Sequence, residues 1–198
     1  MEQFKLFDDR EHLLLPEHLM EYVPGFFTKM ESERYLKTFL ETVSWQQTKI
    51  TIYDKEMLTP RLCAWFGDRP IRQDDMRPPI PWTEELLEIK SKVENHTGIR
   101  FNGVLLNYYR DGNDSVAWHS DKDTIVGLKT EIASVSFGQP RNFDFRNKEN
   151  HKQQYSLELG NGSLLLMKGD LQKYWEHRIA KSSKTMKARI NLTFRKVA

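Results

Sequence analysis

The sequence predicts a mostly β protein of the α+β kind, a sandwich or jelly roll with N-terminal helices packed on one of its sheets. Two observations carry that expectation. From residue 101 onward, short strand-like runs alternate with turn signals: VLLNYY before RDGNDS, then IASVSFG, NFDFR, QQYSLEL before GNG, SLLLMKG, WEHRI and RINLTF. So many short strands at close spacing suit two facing sheets. Ahead of them stand two stretches of helical periodicity, and no repeat or low-complexity tract breaks the chain, so a single domain over residues 1–198 is expected.

The first helix follows from Leu36, Phe39, Leu40 and Val43, spaced i, i+3, i+4, i+7, with Ser32 as its N-cap. The second opens at Thr83, carries Glu84 and Glu85 in its first turn, presents Leu86, Leu87, Ile89 and Val93 on one stripe, and ends near Gly98. Between them, strand-like pieces fall near 48–53 and 61–66, followed by a loop rich in Pro and Arg. The last strand lies in KARINLTFRK, residues 187–196. Alternation puts Ile190, Leu192 and Phe194 on one face and Arg189, Asn191, Thr193 and Arg195 on the other. That polar face either meets water, as the open side of an antiparallel sheet usually does, or turns inward as a socket for a dicarboxylate. A buried guanidinium needs a partner, so the second alternative implies a bound anion.

A chain of 198 residues can bury a core without disulfides or structural metal, and 38% apolar with 29% charged residues describes a soluble globular protein. No stretch approaches the ~18 apolar residues of a membrane span. The N-terminus puts acids ahead of a short apolar run, the wrong order for a secretory signal. The sole cysteine, Cys63, precludes an internal disulfide and reads as a buried small hydrophobe. An intracellular protein is therefore expected, cytoplasmic if bacterial and nuclear or cytoplasmic if eukaryotic, acting as a monomer. The net charge is only +2, but residues 168–198 hold nine Lys or Arg against two acids, whereas residues 1–58 hold seven against eleven. The basic C-terminal third either faces phosphates or forms a solvated edge. No P-loop, GxSxG or Cys-rich zinc pattern is present.

The chemistry centres on WHSD, where His119 and Asp121 stand two apart on an extended segment. H-x-[DE] alone is weak, since about one match arises by chance in a chain of this composition. A second histidine, His177 in YWEHRI, lies on another expected strand. Two histidines and one carboxylate can take one face of an octahedral iron and leave three positions open. Asn107 and Tyr109 form a further polar pair just before this segment, and Arg189 follows His177 by 12 residues.

On these residues the chain resembles the AlkB family of Fe(II)/2-oxoglutarate-dependent nucleic-acid demethylases, most closely the branch that holds human AlkB homologues 2 and 3. NYYRDG is similar to the family's N-x-Y segment, WHSDKD to its HxD and following acid, SVSFG and RNFDFR to its core strands, GSLLLM and WEHR to its distal-histidine region, and RINLTFR to its R-x-N-x-[ST]-x-R signature. The resemblance covers 101–198 well and PRLCAWFGD, residues 60–68, more loosely.

The resemblance implies a double-stranded β-helix, with 101–198 as catalytic core and 1–100 as an extension of helices and nucleotide-recognition region. It implies that His119, Asp121 and His177 bind Fe(II), and that Asn107, Tyr109, Arg189, Asn191 and Arg195 hold 2-oxoglutarate, with Arg189 and Tyr109 on the distal carboxylate and Arg195 and Asn107 nearer the keto acid. Thr193 shares that face. Asp123 resembles an acid that contacts the exocyclic amine of a flipped base, and Trp65 and Phe66 resemble an aromatic segment near the base pocket. The chain departs from the pattern at residues 71–73, where IRQ replaces a further aromatic pair. The activity implied is O2-dependent removal of methyl groups from bases such as 1-methyladenine and 3-methylcytosine, with formaldehyde, succinate and CO2 as products. Single-stranded DNA is the favoured partner, with duplex DNA and RNA as alternatives. Two rivals remain: an oxygenase of the same fold acting on protein or a small molecule, and a nucleic-acid-binding module without catalysis.

Overall fold

The computed structural model describes residues 18–52, 55–70, 79–121 and 131–197. In its first half the elements are β1 (Met20–Val23), α1 (Lys29–Thr42), β2 (Lys49–Ile52), β3 (Lys55–Leu58), β4 (Leu62–Gly67) and α2 (Glu84–Thr97). β5 (Gly103–Tyr109), β6 (Val116–His119), β7 (Ile132–Gly138), β8 (Arg141–Asn147), β9 (Gln154–Leu159) and β10 (Ser163–Met167) follow. The chain closes with α3 (Gly169–Tyr174), β11 (Trp175–Ile179) and β12 (Arg189–Arg195).

The strands pair antiparallel in a large sheet of order β1-β10-β7-β12-β5-β4 and a smaller one of order β6-β11-β8-β9, with β2 and β3 as a separate hairpin. This is the expected mostly β architecture of two facing sheets. β1 and β4, from the first hundred residues, extend the same large sheet as β5. β1 itself had no periodic signal: four residues cannot declare a period, and only its pairing with β10 defines it.

The large sheet is buried on both faces. On its outer face Val104, Leu106, Val135, Phe137, Leu164, Ile190, Leu192 and Phe194 join Tyr35 and Phe39 of α1 and Leu86, Ile89 and Val93 of α2 in one apolar core. Between the sheets, Phe143, Phe145, Leu159, Leu165, Met167, Leu171, Trp175 and Ile179 form a second. The alternation of RINLTFR thus serves two interiors, apolar side chains toward the helices and polar ones toward the smaller sheet. No helix among the described residues is long and apolar enough to cross a membrane.

The helix ends follow their local chemistry. α2 starts at Thr83, whose side chain accepts from the Leu86 N–H, and stops at Gly98, whose φ of 72° is the left-handed cap that glycine adopts without penalty. α1 starts a turn earlier than expected. Its N-cap is Thr28, not Ser32: the Thr28 hydroxyl accepts from the Glu31 N–H, and the Glu31 carboxylate accepts from the Thr28 N–H at 2.7 Å. Those Thr28 hydrogen bonds hold the Glu31 carboxyl down at about 2. Ser32 lies inside the helix and donates its hydroxyl to the Thr28 carbonyl. Thr28→Ala will therefore cost about 1 kcal/mol in denaturant unfolding, while Ser32→Ala leaves the cap intact.

Candidate active site

His119 ends β6 and stands directly opposite His177 of β11, so antiparallel register brings the two imidazoles face to edge, 4.3 Å between ring centres. The His119 Nδ1 hydrogen-bonds the Ala117 carbonyl at 2.9 Å, which fixes Nδ1 as the protonated nitrogen and leaves the Nε2 lone pair for a ligand. Asp121 completes the set: its carboxylate lies 3.7 Å from His119 Nε2 and 3.8 Å from His177 Nε2, and one ligand atom from each residue falls within 4.8 Å of the others.

The electrostatics suit a cation. Burial alone would raise the Asp121 carboxyl, but Arg195, which donates to Oδ1 at 2.8 Å, and the two histidines hold it far below the usual carboxylate range. Burial pushes the His177 imidazole down to about 4, against the pull of Asp121, so the ring is neutral and able to bind metal at physiological pH. Phe143 stacks on it at 4.9 Å.

The triad opens into a cavity of about 160 Å³ between the sheets, whose wall includes Asn107, Tyr109, Arg189, Asn191, Thr193 and Arg195. The polar face of KARINLTFRK therefore looks inward. Arg189 is 1% exposed, and burial brings its guanidinium down to about 10, still charged at neutral pH. Its Nη2 donates to Ser136 Oγ at 2.9 Å and its guanidinium lies 5.1 Å from the centre of the Tyr109 ring, but Nε and Nη1 have no hydrogen-bond partner among the described residues. The Asn107 Oδ1 accepts from Arg61 Nε at 2.9 Å and from the Cys63 thiol at 3.4 Å, which commits the oxygen and so orients the amide.

Tested against the groups that such a wall implies, the residues fit. Two imidazoles and a carboxylate suit iron or a neighbouring divalent metal, and a surplus of buried donors suits a dicarboxylate. Asn191 fits less well than the sequence suggested. Its Nδ2 donates to Ser134 Oγ and the Val135 carbonyl at 2.7 and 3.0 Å, and its Oδ1 accepts from Thr193, so the amide donors are spent within the wall.

Trp65 and Phe66, grouped together from the sequence, lie on opposite faces of β4. Phe66 is 3% exposed and packs in the helix-side core, because alternation turns it away from the cavity. Trp65 pairs with Leu105 and lies against Gly103, where any Cβ would strike its ring, and it donates Nε1 to the Arg69 carbonyl at 2.8 Å. Asp123 and residues 71–73 fall outside the described residues. Sequence reasoning missed Ser134 and Ser136, whose hydroxyls hold Asn191 and Arg189, and Arg61, which orients Asn107. The serines' two-residue spacing in SVS was a signal that they share a face; Arg61 gave none.

A double-sheet barrel with two histidines and a carboxylate around an inward cavity has the donor set of a mononuclear metal site. Residues 19–195 match the 2OG-Fe(II) oxygenase superfamily, and the chain belongs to it. It is 39% identical over 184 residues to Alpha-ketoglutarate-dependent dioxygenase alkB homolog 3 of Rattus norvegicus and 38% identical to that of Homo sapiens, in each case over 88% of this chain. It spans less than two thirds of those relatives, 62% and 64% of their lengths. DNA oxidative demethylase ALKBH2 of Homo sapiens is 35% identical over 159 residues, which cover 75% of this chain and 61% of that one. The solved structure of OsALKBH1 superposes with a TM-score of 0.67 over 89% of this chain and 97% of its own, at 16% identity, a likeness of fold.

Proposed function

We propose that this chain is an oxidative demethylase of N-alkylated bases, such as 1-methyladenine and 3-methylcytosine, in DNA, with RNA as the alternative substrate. The observation that carries the reading is a single cavity holding both the triad and, in Arg189, a buried guanidinium with two donors unpartnered among the described residues. The relatives named as alpha-ketoglutarate-dependent dioxygenases and DNA oxidative demethylases support the co-substrate and the polymer.

His119, Asp121 and His177 would hold iron. Arg189, with Tyr109 beside it, would hold the distal carboxylate of 2-oxoglutarate, and Arg195 and the Asn107 NH2 would serve the keto-acid end. When bound, iron and 2-oxoglutarate supply the oxidation of an N-linked methyl group by O2, with succinate, CO2 and formaldehyde as products. The protein's own work is to bind, orient and exclude water. Trp65 on the inner face of β4 is suited to stack on a base, and Asp123, two residues past Asp121, is assigned to the amine of that base. A target base has to leave its stack to enter, so single strands are the easier substrates. The reading takes the protein as a monomer. A DNA substrate places its action inside the cell.

Single- and double-stranded DNA and RNA oligonucleotides carrying either lesion, followed by mass spectrometry for methyl loss and by formaldehyde release, test the reading. Demethylation that requires 2-oxoglutarate is the expected result, fastest on single strands. Oxidation of 2-oxoglutarate that no oligonucleotide stimulates, with oligonucleotide affinity indifferent to salt, would assign the fold to a protein or small-molecule substrate instead.

A further inference from the structure

The two histidines of the triad are placed by strand pairing, but the carboxylate is not. Asp121 lies two residues past the end of β6, where the ladder with β11 has stopped. Two hydrogen bonds, one from a side chain to backbone and one from backbone to a side chain, hold this segment instead. The Ser120 hydroxyl donates to the Trp175 carbonyl at 2.8 Å, and the Asp121 N–H donates to Oε1 of Gln172 at 2.9 Å. Gln172 is 5% exposed and sits in α3, five residues before His177. Its Nε2 donates to the Met167 sulfur at 3.6 Å, so the amide is oriented at both ends and its oxygen is the atom turned to Asp121. α3 is itself anchored, since Lys148 Nζ donates to the carbonyls of Gln172 and Lys173 at 2.7 and 3.1 Å.

We propose that Gln172 is a positioning residue for the metal's carboxylate ligand: its amide oxygen fixes the Asp121 peptide so that the carboxylate stands between the two imidazoles. The proposal rests on the reading of His119, Asp121 and His177 as the metal site. Arg195 fixes one oxygen of the carboxylate, Gln172 fixes the backbone that carries it, and neither touches the metal position itself. Groups that orient a metal's ligands typically contribute tenfold to hundredfold in affinity, and that range is expected here.

The test is a titration of the full chain with Co(II), a spectroscopic stand-in for Fe(II), read by visible absorption, with melting of the metal-free protein as a folding control. Gln172→Met keeps the bulk and removes the oxygen, and it should weaken Co(II) binding tenfold to hundredfold while the protein still melts cooperatively. Gln172→Ala, which removes the oxygen without adding a new apolar contact, should give the same loss. In an Asp121→Ala background the Gln172 substitutions should have no further effect, because Gln172 acts through Asp121. Wild-type affinity in both Gln172 variants overturns the proposal. So does an equal loss in the Asp121→Ala background, which would mark Gln172 as general packing. Failure of the wild type to bind Co(II) overturns the metal-site reading, and the proposal with it.

Discussion

Arg189→Ala will raise the 2-oxoglutarate concentration that half-saturates the protein at least tenfold, measured by calorimetry with Mn(II) in place of Fe(II) and confirmed by turnover. The side chain is 1% exposed, and its Nε and Nη1 donors have no partner among the described residues. A charge-assisted pair made in such a site is worth about 2 to 5 kcal/mol when one partner is removed, and 1.4 kcal/mol is already tenfold. The same burial predicts the opposite effect on the empty protein. A guanidinium kept from water without a carboxylate costs free energy, so Arg189→Met should melt no earlier than wild type when ligand-free and should lose the stabilisation that 2-oxoglutarate confers. Unchanged half-saturation in Arg189→Ala would remove Arg189 from the co-substrate site.

His177→Ala will abolish metal binding. Anaerobic Fe(II) with 2-oxoglutarate should give the wild type a weak visible charge-transfer band that the variant lacks, and a wild-type band in the variant would sink the triad assignment. His177→Gln, closer in volume, guards against a collapsed cavity beside Phe143. A second measurement on metal-free protein checks the same residue. Its imidazole is held at about 4 against an ordinary 6.5, so between those values the unfolded chain binds more protons than the folded one. Stability is then fully present above pH 6.5 and is lost as pH falls toward 4, by on the order of 3 kcal/mol from this group. His177→Gln should flatten that part of the curve.

The cluster of His119, Asp121 and His177 and the two inward arginines were legible because each lies in a short motif whose period or spacing survives in one dimension. Ile190, Leu192 and Phe194 alternating with Arg189, Asn191 and Thr193 announced a two-faced strand, but the sequence could not say that both faces were interior. That depends on α1 lying across β7 and β12 on one side and the smaller sheet lying on the other. Phe66 misled for the opposite reason: its neighbour Trp65 suggested a shared aromatic site, and strand alternation divides them. Thr28 was passed over for Ser32 because both can cap, and only the reciprocal bond to Glu31 decides between them. Gln172 had no signature, since its partner is a backbone N–H 51 residues away.

The space between the two sheets bears on what holds them together. Where most sandwiches close on interlocking hydrocarbon, here a stretch of the middle is lined by imidazole, carboxylate and guanidinium, and Arg195 on Asp121 ties the large sheet to the segment that leaves the smaller one. Arg195 and the histidines offset the Asp121 charge, whereas Arg189 keeps Nε and Nη1 without a hydrogen-bond partner among the described residues. Under the proposed function, metal and dicarboxylate would fill this interior as well as react in it. On the same reading each would stabilise the folded chain by binding it and not the unfolded one, so protein free of both is expected to melt earlier than the loaded form.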